Sequence, residues 1–158
     1  SDLPACQVDR AANADAPGAM QYRNLYGVLY NLFAMKGNIA PQGWHVPSKA
    51  ELQALVDFVG ADARKLKSTA IGKGLGSWME SAGIEGDNLT GFTALPANTV
   101  EGSNGSTGAS ETTGQWWSTE ADYRIRMSFR SNSVEQLTPG AAGLGEGNSI
   151  RCVRDANY

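Results

Sequence analysis

The sequence has one histidine and two cysteines, and that shortage excludes a great deal of chemistry. With His45 alone and cysteines at Cys6 and Cys152, no His/Cys metal site can be assembled locally. No serine-centred nucleophile elbow and no Cys–His pairing is present. No apolar run is long enough to span a bilayer, so direct membrane insertion is not expected. Residues 74–120 lack Lys and Arg altogether and carry six acids, and residues 121–158 lack Lys but carry five Arg against four acids. The first 73 residues hold eight Lys/Arg against six Asp/Glu. The net charge of only −3 gives no global field of the kind that recruits nucleic acid. There is no initiator Met and no signal peptide, so the expectation is a mature or trimmed chain.

What is present suits one domain. A chain of 158 residues with 41% apolar content can bury a real core. The 19 glycines, with Ser, Thr and Asn crowding the second half, favour a loop-rich α+β fold over a helical bundle. The strongest local signal is Gly43-Trp44-His45-Val46-Pro47-Ser48-Lys49-Ala50-Glu51-Leu52, a short buried strand running into a capped helix over about 48–59. The Ser48 hydroxyl can accept the Glu51 amide while the Glu51 side chain reaches back. Leu52, Leu55, Val56 and Val59 recur at helical spacing and Gly60 supplies the stop. His45 is expected as a packed, hydrogen-bonded core residue rather than a base.

Around this helix the pattern is weaker. Residues 1–21 are expected as an extended or partly disordered lead-in, pinned at most by Cys6, and the domain proper is expected over 22–158. Tyr22, Leu25, Tyr26, Leu29, Tyr30 and Phe33 suit a helix, slightly favoured over a strand. A turn with Pro41 spans 37–43, and residues 65–69 begin a second short polar segment that Trp78 anchors. A short strand over 92–96 stops at Pro96, and 98–114 is a long loop, functional or disordered. Residues 115–118 read as a strand entering the core. Residues 123–130 are the clearest strand, with Tyr123, Ile125, Met127 and Phe129 facing one way and Arg124, Arg126, Ser128 and Arg130 the other. A Gly/Ala-rich loop over 138–148 precedes a closing strand at 149–153, completing a small antiparallel sheet.

The Arg124/Arg126/Arg130 face, with Tyr123 beside it, is the main candidate binding surface, because Arg and Tyr combine directional donors with flat apolar area. The competing reading is an edge strand where charge blocks unwanted pairing. Glu85, Asp87 and Asn88 form the nearest acidic cluster. They could hold a hard cation such as calcium weakly, but a solvated acidic loop is preferred, and no cofactor is expected. A Cys6–Cys152 disulfide would close a long loop and stabilise by roughly 4–5 kcal/mol if unstrained. A buried Cys152 unrelated to Cys6 is the alternative.

Six segments occur in order: Tyr26-Gly27 with Leu29-Tyr30-Asn31; Gly43-Trp44-His45-Val46-Pro47-Ser48; Lys65-Leu66-Lys67-Ser68; Gly91-Phe92-Thr93-Ala94-Leu95-Pro96; Trp116-Trp117-Ser118-Thr119-Glu120; and Ser149-Ile150-Arg151-Cys152-Val153-Arg154-Asp155. Together they resemble the Fibrobacter succinogenes major paralogous domain, a family of bacterial surface and secreted proteins, over roughly 22–155. The resemblance implies a C-type lectin-like fold with its termini close together, which makes the Cys6–Cys152 bridge geometrically plausible. It also implies that Trp116, Trp117 and the Cys152 strand are scaffold. The related formylglycine-generating oxidases need a reactive cysteine pair, which is not available here. The acid–Pro–Asn, Gln–Pro–Asp and Trp–Asn–Asp triplets of calcium-dependent lectins are absent.

Residues 131–148 depart from the family pattern, and a drifting C-terminal stretch on a conserved-looking scaffold resembles the variable proteins of diversity-generating retroelements. Adenine-directed mutagenesis is compatible with Tyr123, Arg124, Arg126, Arg130, Ser133, Leu137, Ala141, Leu144 and Gly147. Met127, Glu135, Gln136 and Glu146 would have to be fixed.

The expectation is therefore a non-enzymatic, extracellular domain on a bacterial surface, pilus or phage tail, binding a cell-surface protein or glycan as a monomer or within a larger assembly. The expected contact residues are Tyr123, Arg124, Arg126, Ser128, Arg130, Asn132, Ser133, Glu135, Leu144 and Glu146. The rival is a structural surface subunit with no ligand of its own.

Overall fold

The computed structural model describes residues 7–8, 24–72, 76–81, 83–99, 112–120, 123–138 and 146–157. Its organising element is the helix α1, Lys49–Val59, and the reason lies in its ends. Ser48 Oγ accepts the Glu51 amide at 3.2 Å, and Glu51 Oε2 accepts the Ser48 amide at 2.8 Å. Two orphan amides are thus satisfied reciprocally, as the capping box requires. A third, Lys49 N, donates to Glu120 Oε2 at 2.6 Å, so a carboxylate from a distant loop also sits at the positive end of the helix. Gly60 ends the helix at φ 65°, a left-handed geometry that glycine adopts without strain. Leu52, Val56 and Val59 are buried at the predicted spacing.

The largest sheet lies across from this face. Strands β4 (Thr113–Trp117), β5 (Arg124–Ser128) and β6 (Glu135–Leu137) pair antiparallel in that order. Tyr123, Ile125 and Met127 enter the core with Trp116, Trp78, Leu66 and the α1 residues. Among the described residues four two-residue strands lie outside this sheet, β1 at Gln7–Val8, β2 at Leu29–Tyr30, β3 at Trp44–His45 and β7 at Val153–Arg154, and β7 pairs antiparallel with β3. Strand β1 pairs with β2. Tyr30 is further bridged to Asn148, and Trp117 Nε1 donates to the Tyr30 carbonyl at 2.8 Å, which ties β2 to β4 and to the chain leading into β7. The architecture is α+β, loop-rich and antiparallel.

Several sequence expectations need correction. Residues 22–35 do not form one helix. Residues 24–26 make a helical turn, β2 follows, and Ala34–Lys36 is a 3₁₀ turn. The strand content of Leu29 and Tyr30 wins because their backbones have partners in β1 and at Asn148. Residues 92–96 give only a single bridge, Ala94 to Lys67, rather than a strand. Strand β4 starts at Thr113, inside the expected loop, of which 100–111 lie outside the described residues. The 131–148 stretch contains β6, because Glu135 and Leu137 align against Arg126 and Arg124. The closing strand is shorter and later than expected.

The polar segment after Lys65 is instead a buried knot. Lys67 is 1% exposed. Its Nζ donates to the carbonyls of Ser128 at 2.7 Å and Ser131 at 2.8 Å and lies 5.0 Å from the Trp78 ring centroid. Burial lowers its pKa from 10.5 to about 8. The folded value lies below the unfolded one, so the native state releases this proton first as the pH rises. Stability therefore grows between about pH 8 and 10.5. Wild type compared with Lys67→Met in urea titrations across that range should show an extra rise on the order of 3 kcal/mol in the wild type alone. Parallel curves would refute the buried, desolvated ammonium.

Candidate functional site

The arginine-bearing strand is not an open face. β5 is the central strand of its sheet, paired on both sides, which removes the edge-strand reading. Its alternation is as expected, but the polar side is largely consumed internally. Arg124 is buried, forms an ion pair with Glu146 and lies 5.1 Å over the Trp117 ring. Arg126 reaches across the register to Glu135 on β6 through both Nε and Nη2. Arg130 lies beyond the strand, exposed, with its guanidinium 4.9 Å over the Phe129 ring. Four of the expected contact residues thus meet as two ion pairs, and the three arginines do not share one surface.

The other expected residues divide similarly. Tyr123 is 3% exposed; burial pushes its phenol pKa up, and its hydroxyl donates to Gln136 Oε1 at 2.8 Å. It is a core anchor and not a contact residue. Ser128 gives its carbonyl to Lys67, and its hydroxyl accepts the Arg130 amide at 3.2 Å. Asn132 and Ser133 are exposed. Leu144 lies outside the described residues. Gln136 is exposed beside them and was absent from the expected contact set, although its place opposite Ile125 follows once β6 is recognised.

The β5–β6 connection that carries the exposed residues is firmly held. Ala63 N donates to Asn132 O at 2.7 Å, Val134 N to Ala61 O at 2.8 Å, and Phe129 N to Thr112 O at 2.8 Å. With Lys67 on the Ser128 and Ser131 carbonyls, the turn backbone is fixed on its inner side while Arg130, Asn132, Ser133, Gln136 and Thr138 face solvent.

The acidic loop is occupied by its own turn. Asp87 Oδ1 accepts the Leu89 amide at 3.0 Å, and Asn88 Oδ1 accepts the Thr93 amide at 2.7 Å. Among the described residues no group of three His, Cys, Asp or Glu side chains is placed to hold a metal ion.

His45 is a correction. It is not a core residue, and the strand that carries it is not buried, since Trp44 is exposed and the His45 side chain is 41% exposed. Nε2 lies 2.8 Å from Glu51 Oε1 and Nδ1 lies 2.6 Å from Asp155 Oδ1. The hydrogen bonds to Glu51 and then Asp155 raise its pKa above 6.5. The Ser48 amide and then His45 lower that of Glu51. Both ring nitrogens are hydrogen-bonded to carboxylates, an arrangement that favours the protonated ring. The ring joins β3, the helix cap and the residue following β7.

Cys152 carries a free, half-buried thiol whose pKa burial raises. Cys6 lies outside the described residues. Two cavities flank Arg151. One of about 340 Å³ is lined by Tyr26, Thr93, Trp116 and Ser149, and one of about 290 Å³ is lined by Leu52, Leu55, Phe92 and Cys152.

Two outcomes follow. Truncating one partner of a buried ion pair costs more than removing an exposed charge. Arg124→Ala should therefore lower the unfolding free energy by about 2 kcal/mol and Arg130→Ala by less than about 0.5 kcal/mol, with Arg126→Ala between, in chemical denaturation. Equal losses for all three would contradict this order. For His45, a raised folded pKa means its stabilising contribution is complete below pH 6.5 and disappears as the pH climbs through the folded value. Thermal unfolding midpoints of His45→Gln and wild type should differ most near pH 6 and converge at alkaline pH; a pH-independent gap would disprove the linkage.

Comparison with known proteins gives one result. The sequence model of the family described as Fibrobacter succinogenes major domain matches residues 2–154. No curated protein and no solved structure matches the chain.

Proposed function

The chain belongs to the Fibrobacter succinogenes major domain family, and from that premise we propose that it is a non-enzymatic recognition domain displayed on a bacterial surface, pilus or phage tail. We take its fold to be C-type lectin-like; one capped helix packed on a small antiparallel sheet with long connections supports this. The observation that carries the proposal is the β5–β6 turn. A polar, exposed segment is held on its inner side by three backbone hydrogen bonds and by the Lys67 ammonium. Recognition residues on a rigid scaffold lose little entropy on binding, which is what a binding loop requires.

The site is accordingly moved from the three-arginine face to Arg130, Asn132, Ser133, Gln136 and Thr138. The ligand is a cell-surface protein or glycan, bound without calcium. Diversification by a retroelement is restricted by this placement, because Tyr123, Arg124 and Arg126, which adenine-directed change could also reach, have structural work. The positions that must be fixed have structural work. Met127 is in the core, Glu135 and Glu146 pair with arginines, and Gln136 accepts from Tyr123. Arg130 and Ser133 remain free to vary. Sequencing the locus across related strains tests this through adenine-restricted change at those two codons; uniform drift at all bases removes it.

The main test is a binding screen of the purified domain against surface glycans and host surface proteins, with calcium and with chelator. Binding should survive chelator and weaken about tenfold or more in Arg130→Ala and Gln136→Ala, the scale of a hot-spot truncation. Chelator-sensitive binding would move the site to residues 85–88. Absence of any partner, with self-association in sedimentation, would favour the structural subunit. Phe58 at 81% exposure and Leu89 at 75% are apolar side chains that such self-contacts would cover.

A further inference from the structure

The cavity of about 290 Å³ lies where α1, Phe92 and β7 meet. Its walls are apolar: Leu52 and Leu55 from the helix, the Phe92 ring, and Val153. Arg151 lines it and is itself exposed, so the guanidinium stands where the cavity opens to solvent. The guanidinium lies 5.4 Å from the centroid of Phe92, whose ring meets Trp116 edge-on at 5.6 Å. The contact with Phe92 restrains the guanidinium beside the cavity.

The Arg151 guanidinium has no carboxylate partner among the described residues, whereas Arg64, Arg124 and Arg126 each have one. The acid within the cavity wall does not serve. Glu51 Oε1 is engaged by His45, and Oε2 by the amide and hydroxyl of Ser48.

We propose that this cavity binds a small organic carboxylate with an aromatic or branched apolar body. The body sits among Leu52, Leu55, Phe92 and Val153, and the carboxylate pairs with Arg151. A planar guanidinium matches a carboxylate through two parallel hydrogen bonds. An apolar concavity with one directing polar group is the usual anatomy of a small-ligand site. The volume, about 290 Å³, falls just under the usual span of about 300–1,000 Å³, so it takes one ring and a short linker, not an oligosaccharide. The site is built from elements other than the β5–β6 turn, and its existence does not depend on the recognition reading above.

Cys152 supplies a direct readout, because its free thiol lines the same cavity. Alkylation by N-ethylmaleimide is followed at Cys152 by peptide mass spectrometry, with 3-phenylpropionate as the probe and 3-phenylpropanol as its uncharged counterpart. Arg151 itself lowers the thiol pKa, so each variant is judged by its own ratio of rates without and with probe. In wild type, saturating 3-phenylpropionate should slow labelling at least fivefold and the alcohol less than twofold. Arg151→Gln should lose the protection, Arg151→Lys should keep part of it, and Arg130→Ala should keep all of it. Circular dichroism on each variant verifies folding. Absence of protection in wild type, equal protection by the alcohol, or full protection in a folded Arg151→Gln would each overturn the proposal.

Discussion

The placement of the Lys67 ammonium is the constraint on which much of this fold depends. Most strands among the described residues are two or three residues long, so ladders alone cannot fix the connections between them. Lys67 does it by joining four segments at one point. Its backbone bridges Ala94, its Nζ binds the Ser128 and Ser131 carbonyls, and its charge lies over Trp78. Trp78 Nε1 in turn donates to Ala94 O at 2.9 Å, closing the circuit. Among the described residues no carboxylate forms an ion pair with the Lys67 ammonium; the charge is held by two carbonyl dipoles and an aromatic face, an arrangement that makes desolvation tolerable. Gly86 approaches so closely that a Cβ there would lie 2.5 Å from Ser68 O and 2.6 Å from Lys67 Cβ. The acidic loop can pack on this knot only because it presents no side chain.

The sequence was legible where a feature is local. The capping box of α1 lies within four residues, and each partner is determined by helix geometry, so Ser48, Glu51 and Gly60 fell where expected. The alternation of β5 was equally plain, since period two is a property of the strand itself. What alternation cannot reveal is what lies opposite the polar side. Arg126 is paired because Glu135 falls across from it in register, and Arg124 because Glu146 arrives from a connection more than twenty residues away. The same limit hid Lys67, whose partners are two carbonyls some sixty residues distant, in a motif with nothing to mark the residue as buried. His45 was misplaced for the opposite reason. Its apolar neighbours suggested a core, while its two carboxylate partners, one local and one from the far end of the chain, hold it at the surface.

Four of the arginines among the described residues fall into two contrasting pairs. Arg126 meets Glu135 on the neighbouring strand β6 and Arg124 meets Glu146 from the connection before β7, so each braces β5 to another segment. Arg130 and Arg151 have no carboxylate among the described residues, and each lies over a phenylalanine ring, Phe129 or Phe92. Stacking satisfies the face of a guanidinium but not its edge, since the N–H donors lie in the plane. An exposed arginine would ordinarily lose several degrees of side-chain freedom on capturing an anion. One already laid on a ring has lost part of that freedom on folding, so more of the pairing energy appears as affinity. The lack of a carboxylate partner among the described residues, beside a ring contact, is what sets these two apart from Arg124 and Arg126, and it is why both proposed sites are built around them.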